Sequence, residues 1–463
     1  MHPLTTGEAQ ALIDADQLAE RIAFARHIGN HQANARLFEQ ALARLDPALL
    51  DRRGGSHNRQ NLAPGTHPYG APDTDPRPAP PPAWRGMPTT GARKTFALLI
   101  EFQDRQHQNS AQDIHKTLYG KPGPGAPYES LAAYYDRASY HKLDLYGGTT
   151  LGWYLAPYSR AEVKQTDAGR DRLVKEALEY FNSQGHDFSQ YDTDKDGVVD
   201  FFYVLWAGQD EGWGGFWWPY QTVLDDPKFT LNGVGFWRFA WMWESRPLGS
   251  PFDAPTPIHE TGHALGLPDY YDYDPKAGAP GGVGGLDMMD SAKHDHNCFS
   301  KWMLDWVTPT VISGGSSVLT LRPSGSSDDC VLLWYAAKSP ALFAQFFMVQ
   351  NRQRLENDVG IPGDGLVIWH VDARISSGNF THDNSSTPHK LLRLMEADGL
   401  EQIQASQPAD AGDFYQPGMA FGPSTVPSSV AYSRQPSGVE VKDIRRQANG
   451  LSATFSVTPP PRS

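Results

Sequence analysis

HETGHALGLPD, residues 259–269, is the stretch from which the rest of the chain is best read. Residues four apart share one face of an α-helix. His259 and His263 can therefore offer two imidazoles to a single ion, with Glu260 beside the first. This pattern suits zinc-assisted hydrolysis, in which the metal lowers the pKa of a bound water from about 15.7 to about 7. A neighbouring glutamate can take that water's proton and hand it to the leaving amine.

Two histidines leave zinc short of a third protein ligand. Gly266, three residues after His263, lets the helix stop and the chain turn, because glycine accepts positive φ. Pro268 also opposes helix continuation. Asp269 then stands where the longer motif HExxHxxGxxH carries its third ligand, and a carboxylate is an acceptable zinc ligand. At the other end Thr256 is placed to cap the helix and Pro257 to occupy its first position. With 16 histidines in 463 residues, a bare HExxH arises by chance in roughly a few per cent of such chains. Requiring Gly266 and Asp269 as well reduces this to about one in ten thousand. Downstream, GGLDMMD (284–290) offers Met289, with Met288 the alternative, for a methionine-bearing turn beneath the metal. Read alone, a methionine pair is more often core.

Four segments are expected around this motif. Residues 1–62 form a helical N-terminal region, with capping-box spacing at Thr5 and Glu8, a stripe through Leu12, Leu18, Ala19, Ile22 and Ala25, a break at Gly29-Asn30 and a second helix from about Ala33 to Leu45. Residues 63–92 form a proline-rich linker. Residues 93–312 hold the catalytic motif, with FALLIEF (96–102) and FFYVLWAG (201–208) as strands and YESLAAYYDRAS and DRLVKEALEYF as helices. Residues 313–463 carry short strands between Gly, Pro, Ser and Asn turns and read as a β-sandwich-like domain. The fold class expected is α+β. The first segment's place before the first catalytic strand makes it a candidate pro-segment.

HETGHALGLPDYYDYD, then GGLDMMD and FSKWMLDWV, resembles the immune inhibitor A family of bacterial zinc metallopeptidases. That family carries an HExxHxxGxPDxYD element, a later WDLMS-like turn and a W-K-x-x-L-G-W-like segment. KTFALLIEFQD is similar to its first strand, SLAAYYDRASYHKLDLYG to its YY…S-x-G-x-L-x-L-x-G element, and YDTDKDGVVDFFYVLWAG to its acidic loop and strand. The likeness runs roughly from Arg93 to Val307 and more weakly through GLVIWHVD and EADG. Leu286 and Asp290 stand where Trp and Ser are usual, Asp305 replaces a Gly, and Pro255 and Pro257 precede the motif helix. None of these removes a ligand or the base. The resemblance implies a zincin- or metzincin-like catalytic domain, endopeptidase activity on protein or peptide substrates, and secretion.

A second cation site is expected in YDTDKDGVVDFF. Asp192, Asp194, Asp196 and Asp200 alternate around Gly197, and with the Val198 carbonyl they offer the hard oxygens calcium prefers. Position 12 of a full loop of this type would be a glutamate, and Tyr203 stands there, so the expectation is a truncated, structural calcium loop. Tyr270 and Tyr271, together with Tyr273, are candidates for an oxyanion or substrate contact, with packing as the equal alternative for each. The tryptophan-dense runs EGWGGFWWPYQ and GFWRFAWMWESR read as core rather than as a cleft wall.

Bulk composition sets the outer limits. A net charge of −13 lacks the basic footprint of a nucleic-acid partner. No stretch approaches the roughly 18 consecutive apolar residues of a membrane span. The start shows no basic region followed by an apolar one, so no export signal is read there although the resemblance implies secretion. Cys298 and Cys330 make one bridge or none. The expectation is a monomeric zinc endopeptidase holding one catalytic zinc on His259, His263 and Asp269, with Glu260 as base and acid and Met289 below. The alternative is a non-catalytic zinc-containing protein whose β domain binds glycans or proteins. An intact Glu260 argues against it, because a structural zinc site needs no base.

Overall fold

The computed structural model describes residues 4–45, 87–273, 282–335, 345–376, 379–384, 389–405 and 407–458. Residues 46–86, which include most of the expected linker, lie outside them. Leaving aside two-residue strands, the helices are α1 (Thr6–Asp14), α2 (Leu18–Ile28), α3 (Ala35–Leu45), α4 (Ala111–Tyr119), α5 (Leu131–Ala138), α6 (Asp167–Ser183), α7 (Pro255–Ala264), α8 (Met288–Ser291) and α9 (Cys298–Met303). With three sheets of three or more strands among the described residues, the chain is mixed α and β, consistent with the α+β class.

The first sheet holds β1 (Phe96–Glu101), β2 (Thr149–Leu155), β3 (Phe202–Trp206), β4 (Tyr220–Val223) and β5 (Arg238–Trp243) in the order β2-β1-β3-β5-β4. Four strands run parallel, and β4 pairs antiparallel at the edge. A parallel sheet needs both faces covered, which explains the nearly unbroken apolar runs of β1, β3 and β5. Side chains alternate between the faces. Ala97, Leu99, Tyr203, Leu205, Ala240 and Met242 face the core that contains Ile258 and Ala264 of α7. Phe96, Leu98, Ile100, Phe202, Val204, Trp206, Phe239 and Trp241 face the core under α6. Trp213, Trp217, Trp218, Trp241 and Trp243 of the tryptophan runs belong to this second core, where Trp206, Trp217 and Trp241 pack with ring centroids 5.1–6.0 Å apart.

The remaining strands are β6 (Thr310–Ile312), β7 (Gly315–Leu321), β8 (Val331–Leu333), β9 (Gln345–Arg352), β10 (Gly365–Asp372), β11 (Leu392–Leu394), β12 (Val439–Gln447) and β13 (Gly450–Val457). They form a five-stranded sheet, β6-β8-β9-β10-β11, and a three-stranded antiparallel one, β7-β13-β12. The two sheets enclose an apolar layer that includes Phe347, Val349, Ile368, Val441 and Phe455. This arrangement differs from a free-standing sandwich. Phe346 and Met348 point the other way, into the core shared with α9 and with Phe38 of α3. Every residue of β9 and β10 is therefore buried, and the β region packs against the part that holds the 259–269 motif. β6, expected to close the catalytic segment at 312, belongs to the C-terminal sheet.

Two local expectations need correction. The N-terminal stripe is two helices, broken where Asp16 takes φ 55°. Helix α7 begins at Pro255 after Ala254, so Thr256 lies inside its first turn and does not cap it. Asp305, which replaces a glycine of the resembling segment, holds φ 67°. Only glycine adopts that region without steric cost, so a glycine there is readily understood. The Thr5–Glu8 capping box is present as expected.

Candidate metal centre

Helix α7 rests on the first sheet, where the Tyr203 and Thr261 hydroxyls meet at 2.7 Å. Tyr135 of α5 donates to the Ile258 carbonyl at 2.7 Å and fixes the helix from the other side. The chain leaves α7 through Gly266, whose φ of 102° is open to glycine and strained for other residues. This turn returns Asp269 to the two histidines. His259 Nε2 lies 2.9 Å and His263 Nε2 3.4 Å from Asp269 Oδ1.

The outer ring of hydrogen bonds sets the tautomers. His259 Nδ1–H donates to the Met288 carbonyl and His263 Nδ1–H to the Leu267 carbonyl, each at 2.9 Å. That leaves a lone pair on each Nε2. Two acceptor nitrogens and a carboxylate oxygen thus converge on one point, which calls for a cation or for protons. Protonation is opposed at His259, where burial pushes the imidazole down to about 3. Burial also opposes charge at His263, but Asp269 outweighs it and raises that imidazole. Burial would raise the Asp269 carboxyl, yet the two histidines hold it well below the usual range. Two imidazoles and one carboxylate are a donor set that suits a zinc-class cation.

Glu260 follows His259 and is fully buried. Neither of its carboxylate oxygens, nor His263 Nε2, has a hydrogen-bond partner among the described residues. Burial pushes the Glu260 carboxyl up to about 7, within the range of a general base working near neutrality. Buried polar atoms are normally paired, so three orphans at one point fit a group that binds there.

The methionine turn lies directly beneath. A Cβ on Gly262, between the two histidines, would stand 2.2 Å from Met289 Sδ. Met289 thus packs on the helix while Met288 supplies the carbonyl that orients His259. Tyr270 and Tyr271 differ from each other. The Tyr270 hydroxyl meets Ser300 Oγ at 2.8 Å, which makes it a packing group rather than a free donor for an oxyanion. Tyr271 hydrogen-bonds Tyr273, whose hydroxyl donates to Asp269 Oδ2 at 2.5 Å. Tyr273 is a partner of the candidate ligand Asp269 that the motif did not assign. Its place four residues after Asp269 was the available signal.

The segment between α2 and α3 crosses this centre. Asp269 N–H donates to the Asn30 carbonyl at 2.8 Å, and Asn34 N–H to the Gly266 carbonyl at 2.9 Å. The Asn30 side-chain amide meets both backbone groups of Gln221 on edge strand β4, at 3.0 and 3.1 Å. His31 packs on Tyr273 with ring centroids 5.5 Å apart. Beneath this strap His259, Glu260, His263 and Asp269 are all at most 2% exposed.

The acidic loop brings Asp192, Asp194 and Asp200 together, with one oxygen of each within 4.8 Å of the others. Asp196 lies next to that trio but outside the group, and its Oδ1 accepts from the Val198 N–H at 3.0 Å. Burial and neighbouring carboxylates push Asp196 up to about 7; burial pushes Asp200 up to about 6, despite the hydrogen bonds it accepts from Thr193. Cys298 and Cys330 are both buried and unbridged. No helix among the described residues is long and apolar enough to cross a membrane.

No protein-family model matches the chain. Over 235 residues it is 26% identical to immune inhibitor A of Bacillus thuringiensis subsp. alesti, a match covering 39% of this chain and 34% of that protein. The chain thus spans about a third of the length of the curated relative it matches.

Proposed function

We propose that this chain is a zinc-dependent endopeptidase of the immune inhibitor A type, with a zincin-like catalytic part. The observation that carries the reading is the convergence of His259 Nε2, His263 Nε2 and Asp269 Oδ1 beside a buried Glu260 whose side-chain carboxylate makes no close hydrogen bond among the described residues. The distant likeness to immune inhibitor A supports the same reading. His259, His263 and Asp269 would hold the zinc, which would polarise the scissile carbonyl and acidify the attacking water. Glu260 takes the water's proton and delivers it to the leaving amine, a role for which its raised pKa suits it. Tyr273 orients the Asp269 carboxylate, and the Met288 and Leu267 carbonyls hold the two imidazoles. Met289 packs below. Asp192, Asp194 and Asp200 would hold a structural calcium, with the Asp196 side chain bracing the loop at Val198.

His263→Ala tests the ligand set. The reading expects the variant to lose both the zinc of this centre and cleavage of an unfolded protein such as reduced casein. Cleavage that persists without that zinc would overturn it.

The N-terminal region is read as a cover. Asn30 occupies the backbone groups of Gln221 that an extended peptide would otherwise use, and the strap closes the centre from solvent. Removing residues 1–90 is expected to raise cleavage. Unchanged or lost activity in a folded product would count against the cover.

A further inference from the structure

Three carboxylates meet in the C-terminal region, where the chain that follows β11 doubles back on itself. Glu396 and Asp398 stand at the start of this excursion and Asp413 at its end. One oxygen of each lies within 4.8 Å of the others. That is the span across a calcium shell, whose oxygens stand about 2.3–2.6 Å from the ion. Glu396 is 3% and Asp413 1% exposed, and Asp398 opens the group to solvent. Asp413 Oδ2 accepts from the Asp410 N–H at 2.8 Å, whereas Oδ1 is buried with no hydrogen-bond partner among the described residues. The Tyr415 hydroxyl beside it is also buried without a partner. Burial pushes that phenol up, and the Asp413 and Asp398 charges add to the shift. Buried polar atoms are normally paired, so two orphans against one carboxylate cluster fit a group that binds there.

The surroundings favour a hard cation. The charges that act on Asp413 are those of Glu396, Asp398 and Asp410, and with burial they push its carboxyl up to about 7. Arg393, a cation of the same stretch, is paired with Glu401 instead. Backbone donors hold the carboxylates in place. Glu396 Oε2 accepts from the Gln402 N–H at 2.6 Å, and Asp398 Oδ1 from the Leu400 N–H at 3.0 Å. A carboxylate oxygen that accepts one such bond keeps a second lone pair for an ion. The two ends of the excursion come close because Gly412 has no side chain: a Cβ there would stand 2.7 Å from Asp398 Oδ2.

We propose that Glu396, Asp398 and Asp413 form a second calcium-class site, which ties the two ends of the 396–413 excursion together and steadies the methionine turn. An all-oxygen donor set favours calcium over zinc-class ions, and water entering past Asp398 would complete its six to eight ligands. The link to the turn runs through the middle of the excursion. The Ile403 N–H is held by Glu396 at 3.3 Å, and the Ala409 N–H donates to the Gly284 carbonyl at 2.9 Å. A Cβ on Gly284 would stand 2.7 Å from Ile403 Cδ1 and 2.9 Å from the Ala409 Cβ, so both residues press on the start of GGLDMMD.

The test is a calcium count on the full chain, stripped with chelator, dialysed against calcium and measured by plasma mass spectrometry. The expected counts are two ions per chain for the wild type, one for Asp194→Asn and one for Asp413→Asn. Asp398→Asn, at the solvent side of the group, should also hold one and guards against a fold defect in Asp413→Asn. The Asp194→Asn/Asp413→Asn double variant should hold none. In the Asp194→Asn background, calcium should slow hydrogen exchange in peptides covering 396–405 and 284–290. No calcium in Asp194→Asn, or equal counts in the wild type, Asp413→Asn and Asp398→Asn, would overturn the site. Bound calcium that leaves exchange at 284–290 unchanged would overturn its hold on the turn. One ion in the wild type and in Asp194→Asn, with none in Asp413→Asn, would support this site and sink the calcium reading of the 192–200 loop.

Discussion

Gly262→Ala tests whether the methionine turn and the motif helix form one packed unit. The added Cβ would stand 2.2 Å from Met289 Sδ and 2.9 Å from its Cε, so the thioether must withdraw by more than 1 Å from a fully buried position. Overpacking of this kind costs about 1–3 kcal/mol. Alanine regains about 1 kcal/mol of helix propensity over glycine. The net expectation is a loss of roughly 0–2 kcal/mol. Met289→Ala alone costs about 2–5 kcal/mol through the cavity it leaves. In that background the new Cβ has space, and Gly262→Ala should stabilise by about 1 kcal/mol. The two substitutions should therefore be coupled by about 1–3 kcal/mol. Scanning calorimetry of the four metal-stripped proteins reads this directly, because 1 kcal/mol moves Tm by about 2–4 °C in a domain of 150–250 residues. Zinc affinity should follow the same pattern, since Gly262 lies between the two histidines. An identical Gly262→Ala effect in both backgrounds would refute the reasoning.

Two further outcomes follow from named contacts. Tyr273→Phe removes the hydroxyl on Asp269 Oδ2 and should weaken zinc binding about 10–100-fold without unfolding the chain, as read by competition with a zinc chelator. At the acidic loop, Asp196 and Asp200 have folded-state pKa values raised to about 7 and about 6. The folded chain then holds protons more tightly than the unfolded one, so the stability they contribute is present below pH 4 and lost as pH rises through 6–7. Calcium relieves the resulting repulsion, so the calcium-induced rise in Tm should be small at pH 5 and grow toward pH 8. Asp194→Asn should reduce it, and a rise independent of pH would contradict the account.

The parts of the fold that are local in sequence were readable in advance. FALLIEF and FFYVLWAG are apolar runs of strand length, and both lie in the parallel sheet. The spacing of His259, His263 and Asp269 determines their convergence once Gly266 turns the chain. What was hidden depends on distant partners. Thr256 looked like a cap because its side chain suits one, yet Pro255 already fits the first helical turn. Tyr270 and Tyr271 are adjacent and alike in sequence, and only the position of Ser300 separates their roles. The both-sided burial of β9 follows from α3 and α9 packing on its outer face, which its period-two pattern does not reveal. Asn30 gave no signal, because its partner Gln221 is almost two hundred residues away.

The central claim is that Glu260 moves the proton while three other residues hold the metal. Its most direct test sets Glu260→Gln beside the wild type, each as the full chain and without residues 1–90, measuring zinc content and cleavage of an unfolded protein together. Glutamine keeps the shape of Glu260 and cannot accept the proton. The account predicts unchanged zinc and a fall in cleavage of about 10²–10⁴-fold. Cleavage at the wild-type rate with zinc in place would contradict it.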